Sequence, residues 1–167
     1  MEDWLTQRIG ANEVKALAEA AKDSKVMDYL VEKVHSLEPR EAWNAAWTLT
    51  HFDDEQISRL LERRDEFIDL AMQTDNVSLR RLMLTIVERM PMDKANFRTD
   101  FLDFCLEHMA LPSEAAGIQS LCMKMAHRQC SIYPELLPEF ISTLSLMQDG
   151  YAKCVMHNRN KFLKEIL

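Results

Sequence analysis

The feature that most constrains this chain is a recurring triplet of an acidic, an aromatic and an aliphatic residue. It occurs at Asp28-Tyr29-Leu30, Glu66-Phe67-Ile68, Asp100-Phe101-Leu102 and Glu139-Phe140-Ile141, with the aromatics 38, 34 and 39 residues apart. Each triplet lies in an amphipathic segment, and a second such segment follows it. Ala42/Ala45/Ala46/Leu49, Leu79/Leu82/Met83/Ile86 and Ile118/Leu121/Cys122/Met125 share the i, i+3, i+4, i+7 spacing of a buried helical stripe, and the last unit ends on Phe162/Leu163/Ile166. One such helix pair cannot hide its own apolar faces. Stacked pairs can, so a two-helix period of this length predicts an all-α solenoid.

Turn residues punctuate the period. A short helix with Trp4, Leu5 and Ile9 is expected to stop at Gly10, and Asn12 to cap a helix carrying Val14, Leu17, Ala18 and Ala21. Residues 1–22 then form an N-terminal cap. The repeats are expected over 24–52, 53–90, 92–128 and 131–167, within one domain spanning 1–167. Glu38-Pro39, Thr74-Asp75-Asn76, Pro112-Ser113 and Asp149-Gly150 mark the turns inside the pairs. The segment from Asp54 to Met72 is expected to bend near Arg63-Arg64, where its stripe changes register.

Composition agrees with that reading. Three glycines in 167 residues, among abundant helix formers, favour helix almost throughout. The N-terminal stretch MEDWLTQRIGANEV lacks the apolar run of a secretory signal, and nothing reaches the roughly 20 apolar residues of a membrane span. A cytoplasmic location without membrane attachment is expected. Cys105, Cys122, Cys130 and Cys154 all fall in helical segments, with Cys105 and Cys122 on apolar stripes as small buried hydrophobes, and in a reducing compartment no disulfide framework is expected.

The units resemble HEAT repeats, of the HEAT/armadillo superfamily of α-solenoids. TDNVSLRRLMLTIVERM is similar to that family's acidic turn and following helix, with Asp75 and Arg80 at the matching positions. YPELLPEFISTLSLM resembles its first helix, with Pro134 and Pro138 near the start. Trp43, Gln119 and Asn160 stand where the other units would carry Arg80. The resemblance implies a right-handed α-α superhelix of about four repeats whose second helices line a concave, partner-binding face.

Several patterns could carry chemistry. Cys122, His127 and Cys130, and Cys154 with His157, lack the spacing of a zinc site, so no metal or other cofactor is expected. Cys154, near a helix start with Lys153 and His157, is the candidate reactive thiol. Asp53/Asp54 and Glu62/Asp65 read as capping and solvated acids. MPMDKAN, from Met90 to Asn96, resembles a fumarase-superfamily signature but has the wrong spacing and lacks the preceding serines. Some HEAT-like proteins are DNA glycosylases, which makes an enzyme or nucleic-acid binder the alternative. However, 20 basic and 27 acidic residues leave a net charge of −7 and no basic track for phosphates. Residues 150–167 alone carry +3, which points to a protein contact.

The function expected is therefore a non-catalytic scaffold for a protein partner. Two ladders on the second helices form its candidate surface, Trp43, Arg80, Gln119 and Asn160, then Trp47, Leu84, Met123 and Lys164. Paired tryptophans beside an arginine match the composition of an interaction hot spot. The competing role for Trp43 and Trp47 is to fill space between repeats, beside Ala42, Ala45 and Ala46.

Overall fold

Four helix starts in this chain, those after Asp23, Glu38, Asp53 and Asn76, are set by side chains that accept from backbone N–H groups no helical carbonyl can reach. The computed structural model describes residues 2–167, with side chains from Trp4 onward. The expected cap begins at Met1, which lies outside the described residues. Among those described, all regular structure is helical: α1 (Glu2–Thr6), α2 (Ala11–Ala20), α3 (Ser24–Lys33), α4 (Pro39–Thr50), α5 (Asp54–Ser58), α6 (Arg64–Gln73), α7 (Val77–Glu88), α8 (Thr99–Ala110), α9 (Ala116–Ile132), α10 (Leu137–Leu146) and α11 (Lys153–Ile166). Glu38 accepts from Arg40 and Glu41 N–H with Pro39 as the first residue of α4, Asp53 and Gln56 cap α5 reciprocally, and Asn76 accepts from Leu79 N–H. The bend expected near Arg63-Arg64 is a single tight turn, Leu61–Arg63, that interrupts the helical run. Gly150, the turn before α11, has φ +87°, a conformation that strains any residue with a Cβ.

Three boundaries differ from the sequence expectation. α1 ends at Thr6, so Ile9 lies in the connection. Gly10, not Asn12, precedes α2; Glu13 reaches back to accept from Gly10 N–H at 3.0 Å, a contact that needs no side chain on Gly10. α9 starts after Ala115 without Ser113, and Glu114 Oε1 accepts from Ala115 N–H instead.

The helices form two compact units, one ending at Met90 and the other running Pro91–Leu167. In the first, α4 packs against α1, α2, α3 and α7, and α6 packs on α7. Ala42, Ala45 and Ala46 are all buried, and their small side chains let several helices approach α4 closely. Lys33 Nζ lies 2.8 Å from Glu41 Oε1 and ties the end of α3 to the start of α4. That hydrogen bond, with a second from Ser36, holds the Glu41 carboxyl below the usual range against the opposing effect of burial. In the second unit α9 is flanked by α8, α10 and α11, over a core that includes Phe101, Cys105, Ile118, Cys122, Met125 and Phe140.

Side-chain donors close the carboxyl ends of the helices. Asn44 Nδ2 donates to the carbonyls of Leu5 (2.8 Å) and Gln7 (2.9 Å) at the end of α1. Gln56 Nε2 and Arg59 Nη1 reach Ala18 and Lys22 carbonyls at the end of α2, and Arg89 Nη1 reaches the Phe52 carbonyl beyond α4. Arg80 donates through Nε to Ala71 (2.9 Å) and through Nη2 to Thr74 (2.5 Å), at the end of α6. Gln119 and Tyr151 close α8 through the Leu111 and Ala110 carbonyls, and Arg159 Nε donates to Leu144 in α10.

Arg80 is thus a structural donor. Hydrogen bonds from a charged group contribute about 1.5–3 kcal/mol, and in a protein of this size each kcal/mol moves Tm by roughly 2–4 °C. Arg80→Met, which keeps length and loses the donors, is expected to lower Tm by about 3–12 °C in a far-UV circular dichroism melt. An unchanged melt would return Arg80 to the set of surface residues.

Candidate functional site

The candidate ladders separate once burial is known. Leu84 and Met123 are fully buried and Gln119 is only 3% exposed, so none of the three offers a partner any surface. The reason is that α7 and α9 are each flanked by more than one helix of their own unit, so their apolar faces are wider than a single stripe. Arg80 is half-buried and committed to the end of α6. Asn160 and Lys164 are exposed on α11, but the residue that does in the last pair what Arg80 does in the second is Arg159. Asn160, the position aligned with Arg80 on the apolar stripe, lies one residue past Arg159. In α4 the equivalent donor is Asn44, one position after Trp43.

Trp43 and Trp47 remain as a surface feature of the first unit. Both are half-buried, and one helical turn brings their ring centroids to 5.0 Å at a 44° tilt. The edge of His51 meets Trp47 at 6.1 Å, extending the aromatic strip by a further turn. Fixed against each other, the rings combine partial exposure with little conformational freedom left to lose on binding.

The second unit carries a feature that the ladders did not include. α9 and α11 border a cleft of about 360 Å³ lined by Ser120, Leu121, Lys124, Asn158, Lys161, Phe162 and Glu165. Asn158 Nδ2 donates to Ser120 Oγ at 3.3 Å and fixes one end. Phe162 is held from behind by Phe140, edge-on at 5.7 Å, and by His127 at 4.8 Å. Burial lowers the His127 pKa, with Glu165 opposing, so the imidazole behind the cleft is neutral at neutral pH. The sequence did hold a signal for this cleft. α9 contains Lys124 and Arg128 and no acid, and α11 contains four cations and one acid.

Among the described residues no three His, Cys, Asp or Glu side chains converge as metal ligands would. Cys105, Cys122 and Cys130 are buried, and Cys154 is exposed in the first turn of α11. Burial pushes the Cys130 thiol up to about 11, with Glu139 adding to it, and pushes Cys105 well above its ordinary value, with the Cys122 thiol adding to it. A thiolate is the reactive form. Ellman titration of native protein is therefore expected to label one thiol rapidly and the other three only on denaturation, with Cys154→Ser abolishing the fast phase. Rapid labelling of two or more in the native state would contradict this burial pattern.

Comparison with known proteins agrees with the helix pairs. Curated proteins and solved structures return no match to the chain. No helix among the described residues is long and apolar enough to cross a membrane. The family model of the HEAT repeat domain matches residues 1–166, nearly the whole sequence, and with paired helices closed by side-chain donors this shows that the chain belongs to the HEAT repeat family.

Proposed function

We propose that this protein is a non-catalytic scaffold that binds a protein partner through its second helices. HEAT repeats commonly serve as protein-interaction scaffolds. The observation that carries the reading is the Trp43–Trp47 pair, two half-exposed, mutually fixed indoles on α4. Aromatic pairs of this kind dominate interface energetics because they bury a large area at small entropic cost. In the second unit the exposed face of α11, with Asn160 and Lys164, supplies the polar contact surface. A single repeat domain over 1–167, with a cap at 1–22 and repeats at 24–52, 53–90, 92–128 and 131–167, belongs to the same proposal. So does a cytoplasmic setting, where an exposed thiol such as Cys154 stays reduced.

Trp43→Ala separates a binding role from a packing one. Truncating a fully buried ring costs about 3–5 kcal/mol, whereas an exposed one stays within roughly 0.5 kcal/mol. For this half-buried ring the expected loss is about 1–2 kcal/mol, between those limits. Capture of a partner first identified with the wild-type protein is expected to fall at least about tenfold in affinity, the loss of a typical hot spot. Full partner affinity in a well-folded Trp43→Ala variant would remove the pair from the binding surface.

A further inference from the structure

We propose that the cleft between α9 and α11 binds an acidic peptide segment of a partner, seating an apolar side chain against Leu121 and Phe162 between Lys124 and Lys161. This rests on the protein-binding reading and names the chemistry of the partner in the second unit. α9 and α11 together hold six basic residues, Lys124, Arg128, Lys153, Arg159, Lys161 and Lys164, and one acid, Glu165. That is +5 on two adjacent helices of a chain whose net charge is −7, so the remaining residues carry −12. Arg159 is turned to the Leu144 carbonyl, and Lys124 and Lys161 are the cations that line the cleft; the segregation favours approach of a negatively charged segment to these two helices over the rest of the chain.

The lining decides which anion fits. Lys124 and Lys161, both exposed, line the cleft from α9 and α11, and Leu121 and Phe162 supply its apolar lining. Phe162 is braced by Phe140 and His127 and cannot swing away without losing both contacts. A lining that joins two cations to two large apolar side chains matches a peptide that alternates carboxylates with large apolar side chains. It matches a phosphate backbone poorly, because phosphate binding needs converging N–H donors or a run of cations, and here Glu165 lies in the lining. The cleft, at about 360 Å³, is of the size that takes one or two side chains of an extended or helical segment.

The test uses the full chain, isotope-labelled for NMR, titrated with a synthetic peptide of alternating Glu/Asp and Leu/Phe. Controls are a peptide of the same apolar residues with Lys in place of the acids, and a single-stranded oligonucleotide of equal charge. The expected result is amide shift changes clustered at Ser120, Lys124, Asn158, Lys161 and Phe162 with the acidic peptide and not with the lysine peptide. The combined Lys124→Glu, Lys161→Glu exchange is expected to weaken binding by about tenfold or more, and raising salt from about 50 to about 300 mM is expected to weaken it further. Should that variant be poorly folded, Lys161→Gln alone is expected to weaken binding about threefold. Shifts that map to Trp43 and Trp47 instead would overturn this site while leaving the scaffold reading standing. Equal binding of the oligonucleotide would overturn it in favour of a phosphate-tracking surface. Concentration-dependent sedimentation that the charge reversal abolishes would overturn it in favour of a second copy of the chain.

Discussion

A helix leaves its last four carbonyls without partners from its own backbone, and in this chain that requirement governs how neighbouring elements are joined. Among the described residues eight side chains, Asn44, Gln56, Arg59, Arg80, Arg89, Gln119, Tyr151 and Arg159, donate to carbonyls at or near such ends. Apolar burial supplies most of the stabilisation, at roughly 25 cal/mol for each Å² removed from water. That term has no direction, and two greasy stripes can slide along each other at little cost. A hydrogen bond to one particular carbonyl fixes the axial register. The net gain per bond is only about 0.5–1.5 kcal/mol for a neutral donor, but leaving a buried partner unmade costs more than that. The donors therefore specify which packing the apolar surface adopts.

The periodic part of this design was legible in the sequence because it is local. The triplets around Tyr29, Phe67, Phe101 and Phe140, the caps at Glu38, Asp53 and Asn76, and the break before Arg64 all depend on residues within a turn or two of each other. Tertiary partners were not legible. Arg80 has the composition of a hot spot, and only the position of the Ala71 and Thr74 carbonyls reveals it as a structural donor. Asn44 and Arg159 were missed by one residue each, since an alignment on apolar positions tolerates a small rotation that a directional donor does not. Leu84 and Met123 were placed on the surface by a stripe drawn one-sided, whereas their helices are covered on more than one side.

What remains outside the packing and the donors defines the surfaces available for recognition. On α4 that remainder is an aromatic strip, Trp43, Trp47 and His51. On α9 and α11, the basic helices of an otherwise acidic chain, it is a cleft where Lys124 and Lys161 accompany Leu121 and Phe162. The two surfaces differ in kind. One would contribute through area and rigidity, and the other through steering and charge selectivity.

The most direct test of the donor account is at Gln119, which is buried and donates from Nε2 to the Leu111 carbonyl at 2.8 Å. Gln119→Glu preserves size and shape, but at neutral pH it replaces the N–H donor with a carboxylate oxygen facing a carbonyl. Gln119→Met removes the donor without adding charge. Thermal melts at neutral pH are expected to rank wild type above the methionine variant and the methionine variant above the glutamate variant. The first gap should correspond to about 1–3 kcal/mol for the unpaired carbonyl, or roughly 2–12 °C. A glutamate variant that melts with the wild type would contradict the claim that these donors hold the helix ends.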